Sequence, residues 1–366
     1  MKPMISRVKK DAPRPATLAD VARVAGVVSM TASRAINGSG YVSEDVRKRV
    51  MKAAEQLNYR PNVLARQLKS HRLNAIGILL PDVANPFSTV LIEGINRVFD
   101  EAGYTEFIAT TNRSVDREKA CLEAFADHRV DGLIVATRGT KIGDAALMRM
   151  ARQNIPLVTI GRPFQLACVD SVTADHAQGA YDAVKHLLAL GHRNIGFIGI
   201  SPQDGKTLRR YGGYVAALRE AGIEPNSKYT VGPPGAPAFA TEEDGYQGMM
   251  RLAALKTPPT AIFARNDFAA IGAMRAAHKL GLVVPRDVAI AGFDNIPLTT
   301  FTTPPLTTVE QPIIEQGIAA ARFLLDRITG DRAIPRRTTC MSCTLIVRES
   351  TDPHAATMPM KPSIPF

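Results

Sequence analysis

The chain has 366 residues, 45% hydrophobic and 22% charged, with a formal net charge of +11; it exceeds one comfortable core and predicts two or three domains of ordinary globular composition. Its four cysteines (Cys121, Cys168, Cys340 and Cys343) are too few for a disulfide framework, and residues 1–15 lack the apolar run of a secretion signal. No stretch of about 18 apolar residues is present to cross a membrane, so the expected compartment is the cytoplasm.

The charge is unevenly spread. Residues 1–75 hold fifteen Lys and Arg against five Asp and Glu, a net of +10 that leaves +1 for the other 291 residues. A basic excess confined to one short segment is the footprint of a polyanion partner. Residues 1–15 are expected to form a basic, disordered arm. Thr17 then caps a predicted helix whose apolar residues Leu18, Val21, Ala22 and Ala25 recur at helical spacing. Asp20 suits its positive first turn, and Gly26 its left-handed C-terminus. A second short helix is predicted over roughly Ser29–Asn37, with Ala32, Ala35 and Ile36 toward the first helix and Ser29, Met30, Ser33 and Arg34 turned away. Two helices joined by a short, glycine-bearing turn form a helix-turn-helix pattern. After Asn37-Gly38-Ser39-Gly40, a third helix runs from a Ser43 cap through Val46, Val50, Ala54 and Leu57. Together they predict an all-α DNA-binding headpiece over residues 16–60, although a basic helix is also the pattern of a solvated face.

Tyr59-Arg60-Pro61-Asn62 leads into Val63–Lys69, which starts like a helix but, at about seven residues, is too short to stand alone. Such a segment orders against a partner: Arg66 and Lys69 suit phosphates, and Leu68 suits an apolar wedge between minor-groove base steps. An interdomain linker has the same pattern. From Asn74 onward apolar runs alternate with helix-length segments. Strands are expected at 75–80, 106–110, 132–136, 156–160, 171–174, 195–200, 261–264 and 288–293. They are too many for one sheet and point to two doubly wound lobes of parallel strands.

Open α/β sheets bind ligands past the carboxyl ends of their strands. Polar residues crowd those ends here: Asp82, Asn85, Arg138, Arg162, Asp175, Asn266-Asp267 and Asp294-Asn295, with Arg210 beyond the 195–200 run and Phe87 as an aromatic. Carboxylates accept from hydroxyls, arginine donates, and an aromatic face stacks on a ring, so this rim fits a polyhydroxylated ligand. The structural alternatives are Asn85 as a helix cap before Pro86 and Arg210 in an interlobe ion pair.

The run TLADVARVAG…TASRAING…VSEDVRKRVMKAAEQLNYRPNVLARQLKS, followed by AIGILLPDVANPF, closely resembles the LacI/GalR family of bacterial transcription regulators, and the similarity extends to about residue 350. The resemblance implies a helix-turn-helix headpiece, a hinge helix within 61–73, and a two-lobed α/β body over 74–350 like a periplasmic sugar-binding protein. The chain would cross between the lobes near Asp170–Ser171, Phe301–Pro305 and Ile334–Arg337. Lobe 1 is then expected over about 74–170 and 303–334, lobe 2 over about 171–302 and 335–350, and a disordered tail over 351–366. The family's base-reading positions fall on Ser29, Met30 and Arg34, and its phosphate or packing positions on Thr31 and Ser33. Leu68 matches the leucine that family dimers insert into DNA, with Ala65 and Arg66 beside it; Thr17, Asn37, Tyr59 and Asn62 complete the expected DNA-binding set. Arg210, Asn266 and Asp294 match the family's effector-binding residues, and Phe87 and Asp175 rank next.

Two departures stand out. Val28 occupies a position that is usually Ser in the family, and it removes a capping oxygen typically worth about 1 kcal/mol; Ser29 is the alternative cap. The family's further aromatic near Gly245 is matched only by Ala240, with Phe239 adjacent. The expected function is a ligand-responsive repressor acting as a homodimer on a pseudopalindromic double-stranded operator, with a sugar or sugar-acid effector and no cofactor or metal. A corepressor-dependent nucleobase sensor is the alternative. An enzyme is the distant reading: Gly205-Lys206-Thr207 lacks the earlier glycine of a phosphate loop, the seven histidines are scattered, and Cys340-Met341-Ser342-Cys343 has no second pair.

Overall fold

The computed structural model describes residues 16–59, 73–112, 114–137, 141–161, 169–200, 209–233, 240–330 and 335–352. The expectations placed on the basic arm, on the hinge helix with Asn62, Ala65, Arg66 and Leu68, and on Arg138, Arg162 and residues 353–366 lie outside the described residues. The chain divides into two compact units, Met1–Leu73 and Asn74–Phe366.

In the first unit, helices α1 (Leu18–Ala25), α2 (Ser29–Asn37) and α3 (Glu44–Gln56) pack around Val21 and Val50, with Ala22, Ala25, Ala32, Ala35 and Ala53 between them. Alanines at the crossings let three short helices approach closely enough to bury a core that none could form alone. Thr17 and Asp20 make a reciprocal capping box at the start of α1, and Gly26 ends it at φ 65°. The other two helices lack side-chain caps. Val28 sits at the N-cap of α2 with no hydrogen bond to offer, and Ser29 is already its first helical residue, so it does not substitute. Ser43 occupies the N-cap of α3, but its hydroxyl makes no capping bond, contrary to expectation. Its cap backbone still starts the helix, with Glu44 and Asp45 in the positive first turn.

The second unit contains two six-stranded sheets. The first runs β11-β5-β4-β3-β1-β2, from strands β1 (Ala75–Leu80), β2 (Thr105–Thr110), β3 (Gly132–Val135), β4 (Leu157–Ile160), β5 (Val169–Ala174) and β11 (Thr338–Met341), all parallel. The second runs β12-β10-β9-β8-β6-β7, from β6 (Ile195–Ile198), β7 (Thr230–Val231), β8 (Ala261–Ala264), β9 (Ala289–Asp294), β10 (Thr307–Glu310) and β12 (Thr344–Ile346), with only β12 antiparallel. Both sheets place their first strand between their second and third. That reversal creates a crevice at the carboxyl ends of β1 and β3 in one lobe, and of β6 and β8 in the other. The central strands are buried along their whole length, as parallel strands covered by helices on both faces must be.

Helices α4 (Pro86–Ala102), α5 (Val115–Asp127) and α6 (Lys141–Arg152) belong to lobe 1; α7 (His176–Ala189), α8 (Arg209–Glu220), α9 (Glu242–Ala253) and α10 (Asp267–Lys279) belong to lobe 2. Helix α11 (Ile313–Thr329) follows a lobe-2 strand but packs on α4 and strands β3–β5 of lobe 1. Gly94 and Gly317 make this helix pair possible: a Cβ on Gly317 would lie 2.6 Å from Leu91 O, and one on Gly94 would overlap Ile314 O.

The chain crosses between lobes three times, but not where the sequence places the crossings. The first lies between Ala174 and His176, because β5 pairs with β4 and keeps 171–174 in the first sheet. The second lies between Glu310 and Ile313, because Thr307–Glu310 pair with β9 in the second sheet. The third lies between Met341 and Thr344, because Thr338–Met341 pair with β5. Asp170, fully buried, fixes this return: its carboxylate accepts from Arg327 Nη2 at 2.7 Å and from Arg337 N and Nη2 at 2.8 Å. Burial alone would raise this carboxyl, yet the arginine hydrogen bonds hold it below its ordinary value. The expected tail also begins later. Ser350 and Thr351 are buried, Ser350 Oγ donates to Ile290 O at 2.6 Å, and the Thr351 hydroxyl lies 2.7 Å from that of Thr307.

Candidate DNA-binding face and effector site

Helix α2 carries the residues expected to read bases. Ser29, Met30, Arg34 and Asn37 are exposed, Met30 to 65%, while Thr31 and Ser33 are half-buried. Asn37 Nδ2 donates to Ser33 Oγ at 3.2 Å, and the Arg34 stem packs over Gly40. Two residues of the expected DNA-binding set have other engagements. The Thr17 hydroxyl donates to Asp20 at 2.7 Å within its capping box, and Tyr59 is half-buried against the headpiece core.

In lobe 2, the carboxyl ends of β6, β8, β9 and β10 bring polar groups together. Strand β9 ends on Asp294 at φ 118°, followed by Asn295 at φ 53°. Two consecutive non-glycine residues in this region store about 1–3 kcal/mol each, so the surroundings must hold them. They do: Ile296 N donates to Asp267 Oδ2 at 2.9 Å, and Arg348 Nη2 to Asn295 Oδ1 at 2.8 Å. Gly292 is required beneath, because a side chain there would strike the Asp267 carboxylate.

The strained turn presents Asp294 to Arg210, whose Nη2 donates to Asp294 Oδ1 at 3.1 Å. Arg210 Nη1 donates to Arg265 O at 2.6 Å, and its guanidinium lies 3.9 Å over the Phe293 ring. Gln311 Nε2 donates to the same Asp294 oxygen at 2.5 Å, while His176 Nε2 lies 2.8 Å from Gln311 Oε1. Because the Gln311 amide donates to Asp294, its oxygen faces the histidine, which is therefore the donor. Burial, with Arg210 nearby, pushes His176 down to about 3, so the imidazole is neutral. Burial raises Asp294 against the pull of Arg210; Asp267 is raised further, by burial and by the charge of Asp294.

The five expected effector residues divide accordingly. Arg210 and Asp294 are in direct contact. Asn266 adjoins them as the N-cap of α10, with Oδ1 accepting from Ala269 N at 3.1 Å and Nδ2 donating to Ala240 O at 2.9 Å. Asp175 is exposed and caps α7 through Gln178 N at 3.0 Å. Phe87, half-buried, packs on the lobe-1 core, and Asn85 is the cap before Pro86. His176, Gln311, Phe293 and Arg265 were not anticipated. His176 directly follows a residue that was, and Gln311 follows a strand that the sequence conceals.

Among the described residues no group of three or more His, Cys, Asp or Glu is arranged to hold a metal. Cys340 is exposed and Cys343 half-buried, and burial pushes the Cys343 thiol up to about 12. No helix among the described residues is long and apolar enough to cross a membrane.

Comparison with known proteins accounts for both units. Residues 17–62 match the family described as bacterial regulatory proteins, lacI family, and residues 184–351 a periplasmic binding protein-like domain. The HTH-type transcriptional regulator DegA of Bacillus subtilis (strain 168) is 36% identical over 340 residues, which cover 92% of this chain and 98% of that protein. The chain belongs to the LacI family. It is a ligand-responsive, DNA-binding transcription regulator. Among solved structures, the lac repressor dimer bound to operator and the anti-inducer ONPF is 27% identical with a TM-score of 0.80, covering 92% of this chain and 99% of that one. The complex of the transcriptional regulator CelR with cellobiose is 30% identical with a TM-score of 0.67, at the same coverages of 92% and 99%.

Proposed function

We propose that this LacI-family protein is a repressor that binds a pseudopalindromic operator as a homodimer and is released by a sugar or sugar acid. The observation that carries the effector half is the convergence of Arg210, Asn266 and Asp294 at the carboxyl ends of lobe 2, with the acidic and basic members hydrogen-bonded to each other. A paired carboxylate and guanidinium offer adjacent acceptor and donor sites to a vicinal diol, and Phe293 gives the guanidinium an apolar floor. The relative solved in complex with cellobiose supports a saccharide class. Asp175 and Phe87 are proposed as further contacts from lobe 1 and its crossing. For DNA, Ser29, Met30 and Arg34 read base edges, Arg34 through a guanine fork worth about 1–3 kcal/mol of discrimination. Thr31, Ser33, Asn37, Thr17, Tyr59 and Asn62 position the backbone, and Leu68, flanked by Ala65 and Arg66, wedges the minor groove. The setting for such a protein is the cytoplasm.

Thermal-shift screening against sugars, sugar acids and nucleobases tests the effector class, because a ligand at a hundred times its Kd adds about 2.7 kcal/mol of stability. A stabilising sugar that loses its effect in Asp294→Ala supports the reading. Stabilisation by nucleobases alone would replace it with the corepressor alternative, and turnover of any hit would make the protein an enzyme.

A further inference from the structure

The three chain crossings run side by side, and the effector-site network reaches all of them. Strand β11 lies beside β5 in the first sheet, and β12 beside β10 in the second, so the third crossing flanks the other two. His176 opens α7 immediately after the first crossing, and Gln311 lies within the second. Their side chains are joined at 2.8 Å, which ties crossing to crossing. Asp175, next to His176, donates its backbone N–H to Met341 O at 2.8 Å, at the start of the third. One turn on, Gly179 packs so closely on Cys343 that a Cβ there would lie 2.9 Å from the cysteine's. The far end of the chain of bonds is Gln311 Nε2 on Asp294, the carboxylate that also holds Arg210.

We infer that His176 is a positioning residue that couples the Asp294–Arg210 pair, through Gln311, to the interlobe crossings. A change in the hydrogen bonding of Asp294 then alters how firmly the crossings are held, which is a route from effector site to lobe orientation. This rests on the effector reading above for its biological meaning, but not for its physical content. The geometry favours the histidine for this task. Its ring also meets Phe293 edge-on at 5.8 Å, so it is fixed by packing as well as by hydrogen bonding, and a neutral imidazole donates from one defined nitrogen.

Hydrogen exchange of the full chain, without effector or DNA, tests the coupling. The readouts are peptides covering the three crossings (171–178, 308–315 and 339–345), with β1 and β6 as controls. His176→Phe keeps a ring against Phe293 but removes the donor. It is expected to raise exchange in all three crossing peptides by about fivefold or more, the equivalent of one lost hydrogen bond. His176→Gln restores a donor and is expected to return them toward wild type. Asp294→Ala, at the other end, is expected to raise the same three peptides. A rise confined to the first turn of α7, or one shared by β1 and β6, would overturn the coupling and leave a merely structural histidine. Unchanged crossings in Asp294→Ala would overturn the transmission from the site. A wrong effector class would leave this exchange pattern standing and show instead in the thermal-shift screen.

Discussion

Burial of His176 makes the stability of lobe 2 depend on pH in a direction and size that can be worked out. Its folded pKa is pushed down to about 3 from an ordinary value of 6.5. Between those values the unfolded chain binds the proton and the folded one does not, so acid favours unfolding. The histidine therefore leaves stability untouched above about pH 6.5. Each pH unit below that removes about 1.4 kcal/mol until the folded pKa is reached. At about pH 5 the loss is ~2 kcal/mol, a large fraction of the usual 5–15 kcal/mol total. Urea unfolding of wild type and His176→Gln at about pH 7 and about pH 5 isolates this contribution. His186 and His192 are also lowered by burial and slope the same way, but they are common to both proteins and cancel in the comparison. Wild type is expected to lose about 2 kcal/mol more than the variant on acidification. Equal losses in the two proteins would mean that water reaches the imidazole, and the neutral-donor geometry argued for the crossings would fall with it.

Three further outcomes follow from single contacts. Val28→Ser supplies the missing cap of α2 and is expected to stabilise the headpiece by about 1 kcal/mol and tighten DNA binding, read from its melting temperature and from fluorescence anisotropy with operator DNA. Asp170→Ala leaves Arg327 buried without its carboxylate and is expected to cost about 3–5 kcal/mol in urea unfolding, whereas a loss under about 1 kcal/mol would show that the arginine finds water. Leu68→Ala is expected to weaken operator binding while leaving the thermal shift produced by an effector unchanged; unaltered operator affinity would remove the wedge from the mechanism.

The headpiece was legible because its signals are local. Valine and alanine at helical spacing, a Thr17 cap with Asp20 in the first turn and a glycine stop specify α1 without help from distant residues; α2 keeps the spacing and the glycine stop but has no side-chain cap. The body was legible only where strands are apolar. Thr307–Glu310, Thr338–Met341 and Thr344–Ile346 are short, threonine-rich strands with no alternation to read, and only their pairing assigns them to a sheet. The second and third crossings were displaced for that reason; the first was displaced because 171–174, legible as a strand, pairs with β4 and stays in lobe 1. Gln311 was lost with the second, since it is defined by the end of a strand that could not be seen. Arg210, Asn266 and Asp294 were within reach because the ends of apolar strands mark where a crevice opens. The positive φ of Asp294 was not, because it depends on Asp267 and Arg348 from elsewhere in the chain.

The same contrast explains the uneven charge. In the body, arginines are consumed by internal acids: Arg327 and Arg337 by Asp170, and Arg210 by Asp294. Such pairs are directional and partly or fully desolvated, so they fix geometry, and a body built from them carries little net charge. The headpiece pairs differ. Arg23–Asp20, Lys48–Glu44 and Arg49–Asp45 each lie within one helix, with the basic partner 77%, 77% and 51% exposed. Exposed pairs of this kind are worth about 0–1 kcal/mol and are screened by salt, so they yield readily to a phosphate. Arg23, Lys48 and Arg49 therefore give up little when they turn to DNA. On the reading proposed above, sequence discrimination comes from the exposed groups of α2, where Met30 and Arg34 stand.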